Sequence, residues 1–298
     1  MIEYQGRMTR LVNKIVYAPV IFMALLMILP YYWMVIGAFK PVPELRKIPP
    51  TFIVEDPTLN SFYDSQRDTP PDHQRGLFQR FEDTPAGFGR FYFNSMFVAV
   101  SITFFSLVLG SLTAFVLAKH QFPGRQFFFL LFMASMMVPW QVTLIPSFLL
   151  MRDLKWIDTY QALIIPASAQ VFAVFFLRQY MFSIPDEILD AARVDGASEF
   201  RIWRSVILPL VRPAMVAIGL TIFLGQWNNL VWPLIVMQSA EMRTLPLAIS
   251  LLNQSLSGAT TLGLIMAAAL LTSIPTLLLF LRFQKEFVRG ITMTGMKG

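Results

Sequence analysis

A chain of 298 residues with 55 % hydrophobic and only 14 % charged side chains is too apolar for an ordinary soluble domain, in which about a quarter of residues are charged. It has no cysteine, so disulfides, thiolate metal sites and cysteine nucleophiles are excluded. The net charge of +6 does not point to nucleic acid, because the basic residues follow the loops between apolar runs rather than forming a patch.

Six apolar runs are long enough to cross a bilayer, near residues 15–39, 91–118, 127–151, 159–181, 213–237 and 260–281. Six in series predict an all-α polytopic membrane protein with six transmembrane helices, since helices apolar on every side belong in lipid or deep in a core. The first run is longer than a signal-peptide core and no small-x-small site follows it, so it reads as a retained span. With the N-terminus cytoplasmic, the inside segments carry Arg7, Arg10, Lys14, Lys119, Arg125, Arg193, Arg201, Arg204 and Arg212, while the short outside loops carry Arg152, Lys155 and Arg243. That asymmetry favours cytoplasmic N- and C-termini, although the long outside loop holds further basic residues.

The chain then divides into a cytoplasmic N-terminus with the first span (1–40), a proline-rich extracytoplasmic loop (41–90) and a transport core (91–298). The loop is expected to be ordered but irregular, with a short helix, serving as a connector or a docking surface. In the second run Ser106, Gly110, Ala114 and Ala118 recur every four residues and line one helix face. Such a face admits a neighbouring helix closely, either within this chain or from a partner subunit. Pro139 and Pro146 in the third run are expected to kink it.

The spans contain no Asp, Glu, Lys or His, and only Arg178 lies near an edge, where a long side chain can snorkel to water. Proton relays and ion sites are built from intramembrane ionisable groups, so energy for uphill transport would have to enter from elsewhere. It does not enter through a phosphate loop in this chain. Gly290, Gly295 and Lys297 only superficially imitate one, with Met296 intervening and no helix to follow. His73 and His120 fall on opposite sides of the membrane, so no hydrolytic or metal constellation is expected. An uncharged lumen suits a neutral polar solute. Gln141, Gln226, Trp227, Asn228 and Asn229 are candidate pathway residues, by amide hydrogen bonding and aromatic contact with a sugar ring. Trp227 and Trp232 read equally as interfacial anchors, and the amides as bridges between helices.

Between the fourth and fifth runs lies a polar, charged stretch from Ile184 to Ala214. Pro185 suits a first helical turn, Asp186 and Glu187 complement the positive helix end, and Asp195-Gly196 stops the helix. Ser198 is placed to cap a second short helix through Phe200, Ile202, Trp203 and Val206, ended by Pro209. Ala191 and Ala192 leave a low surface that fits closely into a groove, and Phe200 and Trp203 should be covered by protein or lipid. The rival reading is a free amphipathic helix lying on the bilayer.

Asp190-Ala191-Ala192, Gly196 and Val206-Ile207-Leu208-Pro209 have the spacing of the Glu-Ala-Ala loop in membrane subunits of binding-protein-dependent ABC importers, which this stretch resembles. Asp190 stands where that pattern has Glu, and Val206 where it has Ile. Val194-Asp195-Gly196-Ala197, Asn94-Ser95, Phe122-Pro123-Gly124, Trp227-Asn228-Asn229 with Trp232-Pro233, and the closing Gly295-Met296-Lys297-Gly298 are similar to the carbohydrate subgroup. Over residues 91–298 the chain resembles the second of two permease subunits in maltose-type sugar importers, and the extra length near 63–87 departs from it.

The resemblance implies a bacterial inner-membrane permease subunit that is not itself an enzyme. It implies a second homologous permease subunit, two ATPase subunits that bind ATP and Mg, and an extracytoplasmic sugar-binding protein. It makes Glu187, Asp190, Ala191, Ala192, Asp195, Gly196, Ala197, Phe200 and Pro209 the ATPase-coupling loop, and Gly295 and Lys297 an ATPase-contacting tail. The alternatives are an importer of a polyamine, phosphate or amino acid, and a stand-alone channel.

Overall fold

The computed structural model describes residues 2–63, 76–82, 86–255 and 259–295. The chain forms two compact units, one from residues 1–83 with 251–273, the other from 84–250 with 274–298. In this division the start of the last long helix goes with the N-terminal unit.

The N-terminal unit is built on α1 (Ile2–Phe39), which stays continuous through Pro19 and Pro30. From Tyr17 to Tyr32 its side chains are exposed at every position, as expected of a helix whose surroundings are lipid or another helix. Close approach defines its far end. A Cβ at Gly37 would fall on the sulfur of Met266, and the Tyr31 hydroxyl meets Ser273 Oγ at 2.7 Å. After α1 comes a short turn of helix, α2 (Val42–Leu45). Around it Lys40 and Glu44, both almost wholly buried, form an ion pair at 3.5 Å. Thr51 Oγ1 accepts from Lys40 Nζ and donates to Glu44, each at 2.7 Å, and Glu55 N donates to the same carboxylate. Burial pushes the Glu44 carboxyl up, but these donors and Lys40 outweigh it and hold it below the usual range. The described part of the loop is thus ordered by a buried polar cluster, and α3 (Leu77–Glu82) supplies the short helix expected of it.

The second unit is organised around α4 (Gly87–Lys119). The small-residue face packs inside this chain: Ser106, Gly110, Ala114 and Ala118 are all buried. After α4 the chain bends through α5 (Arg125–Met136) and α6 (Trp140–Asp153), which lie 96° apart at a break closed by Pro139. The third expected span is therefore broken rather than kinked, and Pro146 sits inside α6. α7 (Tyr160–Ser168) and α8 (Val171–Phe182) follow and together make one candidate span. The polar stretch forms α9 (Asp186–Val194), α10 (Glu199–Ile202), a π-turn (Trp203–Ile207) and α11 (Leu208–Leu210). α12 (Arg212–Trp227) leaves the helical stretch Glu199–Leu210 at 80°. α13 (Val231–Val236), a 3₁₀ turn (Ala240–Met242), α14 (Leu245–Ser255) and α15 (Ala259–Gly295) complete the chain.

α4 packs against α7, α8 and α12. A Cβ at Gly110 would stand 3.0 Å from that of Ala173, so the glycine sets how closely α8 approaches. Among the described residues four helices are long and apolar enough to cross a membrane, or six spans when each bent pair counts as one. This agrees with the expected all-α polytopic architecture.

Arg178 departs from its expected role. Its side chain is buried rather than snorkelling, lies 3.7 Å from the Phe129 ring centroid and 4.4 Å from that of Phe182, and donates to Leu117 O. Arg125 donates to Leu117 O at 2.9 Å and to Ala118 O at 3.2 Å. Two guanidinium groups thus satisfy the last carbonyls of α4, which carry the negative end of the helix dipole.

Candidate functional site

The water-facing element is built from α9 and α10. Pro185 is the N-cap of α9 and not its first helical residue as expected, with Asp186 and Glu187 in the first turn. The helix closes where Gly196 takes φ +77°. Gly196 N donates to Arg193 O at 2.9 Å and Ala197 N to Ala192 O at 3.0 Å, the paired bonds of a Schellman cap. No atom lies within 4 Å of where a Gly196 Cβ would be, so glycine is needed here for its backbone conformation and not for space inside this chain. Ser198 Oγ then accepts from Arg201 N and caps α10, as its position predicts.

Pro209 does not end this second helix. It falls in the first turn of α11, and the chain breaks instead at Val211, where α12 begins with Pro213 in its first turn. Proline cannot donate to the carbonyl four residues back and its ring crowds that carbonyl. Just before it the helix widens, with Leu208 N bonding to Trp203 O five residues earlier.

α9 presents one buried anchor, Leu189, while Ala191, Asp190 and Glu187 are exposed and Ala192 is half-buried. Val194 and Phe200 are 88 % and 61 % exposed, large for apolar side chains on a polar element, whereas Trp203 is buried. The expectation that both rings are covered holds within this chain for Trp203 alone, and the Phe200 ring lies 5.2 Å from it.

Ionic contacts tie the element to the end of α4. Lys119 Nζ donates to Asp186 Oδ1 at 2.6 Å and also to Ile184 O. The Lys119 ammonium at its carboxylate holds Asp186 below the usual carboxylate range. His120 Nε2 lies 3.3 Å from Glu199 Oε2. Arg193 donates to Asp190 Oδ1 at 2.8 Å and to both carboxylate oxygens of Glu199, at 2.9 and 3.4 Å.

The candidate pathway residues are only partly brought together. Trp227 is buried, stacked at 5.9 Å on Phe223 and edge-on at 5.4 Å to Tyr92, so it is a packing residue and not an interfacial anchor. Gln226 Oε1 accepts from Asn229 at 3.4 Å, and both line a cavity of about 10 Å³ with Ser95, Leu163, Trp232 and Thr244. That is about one water and far below a sugar ring. Asn228 is exposed and donates to Leu224 O at 2.9 Å, and Gln141 stands exposed on α6. Trp232 donates to Ala162 O at 2.8 Å. Gly295 ends α15, and Lys297 lies outside the described residues.

Sequence reasoning missed a second polar cluster at the opposite end of α4. Asn94, wholly buried, donates to Glu241 O at 2.7 Å and Arg243 O at 2.9 Å, and accepts from the Tyr160 hydroxyl at 2.6 Å. Ser95 Oγ accepts from Leu245 N at 2.7 Å. Asp158, at φ +61°, accepts from the backbone N–H of Gln238 and Ser239. Burial pushes its carboxyl up, but those donors outweigh it and hold it below the usual range. The Asn94-Ser95 pair was visible in the sequence as a polar step entering an apolar run, but its partners lie 66 residues away at Tyr160 and some 150 away at Glu241, Arg243 and Leu245.

Residues 106–293 match the family described as the binding-protein-dependent transport system inner membrane component. The chain belongs to that family. It is 34 % identical to the arabinooligosaccharides transport system permease protein of Halalkalibacterium halodurans, over 93 % of this chain and 94 % of the relative. It is also 34 % identical to the sn-glycerol-3-phosphate transport system permease protein of Agrobacterium fabrum, over 69 % of this chain and 73 % of that one. Its fold is similar to a chain in the crystal structure of a bacterial ABC transporter involved in the import of the acidic polysaccharide alginate. The TM-score is 0.76 at 22 % identity, covering 95 % of this chain and 98 % of the other. The chain is thus a permease of a transport family, and its matched region includes the whole α9–α10 element.

Proposed function

We propose that this chain is one permease subunit of an ATP-driven importer for an oligosaccharide, working with a homologous permease, two ATPase subunits and an extracytoplasmic solute-binding protein. The observation that carries the reading is the α9–α10 element, with its exposed Ala191, Val194 and Phe200 and its Schellman-capped Gly196 beside empty space. It offers a shaped docking surface on the side taken as cytoplasmic. An apolar ring left exposed on a polar element favours burial in a partner. Asp190, Ala192, Asp195, Ala197 and Pro209 belong to that surface in this reading, and the tail with Gly295 and Lys297 is assigned to the ATPase by the family resemblance alone.

An oligosaccharide is favoured because the relative named for arabinooligosaccharides matches almost the whole chain, whereas the one named for sn-glycerol 3-phosphate matches about two thirds. The second name keeps an anionic solute as the rival reading. The 10 Å³ cavity at Gln226 and Asn229 cannot hold either solute, so the pathway is completed with the second permease or opens in another conformation. Proteoliposomes holding the assembled complex should take up labelled arabinotriose only with ATP supplied to the ATPases. Uptake that continues without any ATPase subunit would sink the importer reading, and competition by sn-glycerol 3-phosphate but not by arabinotriose would overturn the sugar.

A further inference from the structure

The Arg193 fork spans two helices. Nη1 bonds Asp190 in its own helix α9, while Nε and Nη2 bond the two oxygens of Glu199, which opens α10. Between them lie residues 195–198, where the Gly196 backbone conformation sets the turn and Ser198 caps α10. Glu199 Oε2, which accepts from Arg193 Nη2, also lies 3.3 Å from Nε2 of His120, the residue that closes α4. Lys119, next to it, grips Asp186 at the start of α9. α9 and α10 are therefore each tied to the end of α4, and Arg193 ties them to one another.

From this geometry we infer that Arg193 is a positioning residue. Its guanidinium clamps α9 to α10, so that force applied to the docking surface reaches α4 through a single body and not through a loose hinge at Gly196. The assignment to force transmission rests on the importer reading above. It also changes the role of Asp190: its carboxylate already serves Arg193, so it is a member of the clamp before any partner arrives. Each exposed ion pair is weak alone. A planar fork that holds two carboxylates at once adds geometry that a single ammonium cannot supply, which makes lysine a discriminating replacement.

The test uses the assembled complex with spin labels on cysteines introduced at Ile188 and Arg201, both exposed in this otherwise cysteine-free chain, and with cysteine-free partners. The inter-label distance distribution should be narrow in the parent and broad in both Arg193→Ala and Arg193→Lys. Arabinotriose imported per ATP hydrolysed should fall at least about threefold in both variants, the scale of losing one to two surface ion pairs. An unchanged distribution in Arg193→Ala overturns the clamp, and a parent-like Arg193→Lys overturns the fork geometry. Broad distances with unchanged import per ATP overturn the coupling role. A parent complex that imports no arabinotriose condemns the oligosaccharide reading instead, and the distances still decide the clamp.

Discussion

Lys119 Nζ lies 2.6 Å from Asp186 Oδ1, joining the last residue of α4 to the first of α9. The Lys119 side chain is 4 % exposed and that of Asp186 is 74 % exposed, so the pair is a buried cation reaching out to a solvated carboxylate. Asp186 is held below its ordinary range by Lys119, so the folded state favours the ionised form. The contribution is fully present above the unfolded pKa of about 4. It is lost as pH falls through the lower folded value. Solvent screening limits it to at most about 1 kcal/mol. Thermal unfolding of Asp186→Asn against the parent in detergent should show a small deficit at pH 7 that closes as the pH falls below the ordinary carboxylate range. A deficit that grows on acidification would contradict this.

Gly196 stands at φ +77° beside open space, so substitution should report backbone strain and nothing else. Gly196→Ala should cost about 1 kcal/mol, with Gly196→Asn milder, because Asn enters the left-handed region more readily. Hydrogen exchange at the amides of Gly196 and Ala197 would show the cap opening. Under the importer reading, a bulky Gly196→Trp should also abolish uptake, since it would fill the space left for the ATPase.

At Gly110 the outcome is steric. The Cβ of an alanine would sit 3.0 Å from Ala173 Cβ, which demands a small shift, whereas leucine would drive α8 off α4. Gly110→Leu is expected to cost about 1–3 kcal/mol or more and to give aggregated protein on size-exclusion chromatography. Gly110→Ala paired with Ala173→Gly should keep the monodisperse peak, since it removes the Cβ that the new methyl would meet.

Asn94 provides a test of the second polar cluster. Asn94→Leu leaves the part-buried Arg243 carbonyl and Tyr160 hydroxyl without that partner, at about 1–3 kcal/mol for each unmet group, while the Glu241 carbonyl keeps Arg90 as a donor. Tyr160→Phe removes one bond and should cost about 1 kcal/mol. Because the two share a hydrogen bond, the double variant should be less destabilised than the sum, measured by thermal unfolding of the four proteins. Additivity would mean the 2.6 Å contact contributes nothing.

Much of the functional element was legible. Asp195-Gly196, Ser198 and the acidic first turn are local signals, and each settled where its chemistry put it. Pro185 and Pro209 were read one step wrong, because a proline tolerates both the N-cap and the first turn, and which it takes depends on the neighbouring packing. Arg178 was misread for a different reason. Its charge is compensated by Leu117 O and by two rings from other parts of the chain, none of which a local window contains.

The sequence alone determined the membrane class, the all-helical architecture and the local signals that shape the α9–α10 element. These depend on composition and on periodicities of a few residues. Only the tertiary structure decided that Arg193 joins Asp190 to Glu199, that Lys119 meets Asp186, and that Asn94 holds a turn about 150 residues later. Side chains distant in sequence become neighbours only after Gly110 and the small face of α4 have let α8 approach, and no local pattern records which partner will arrive.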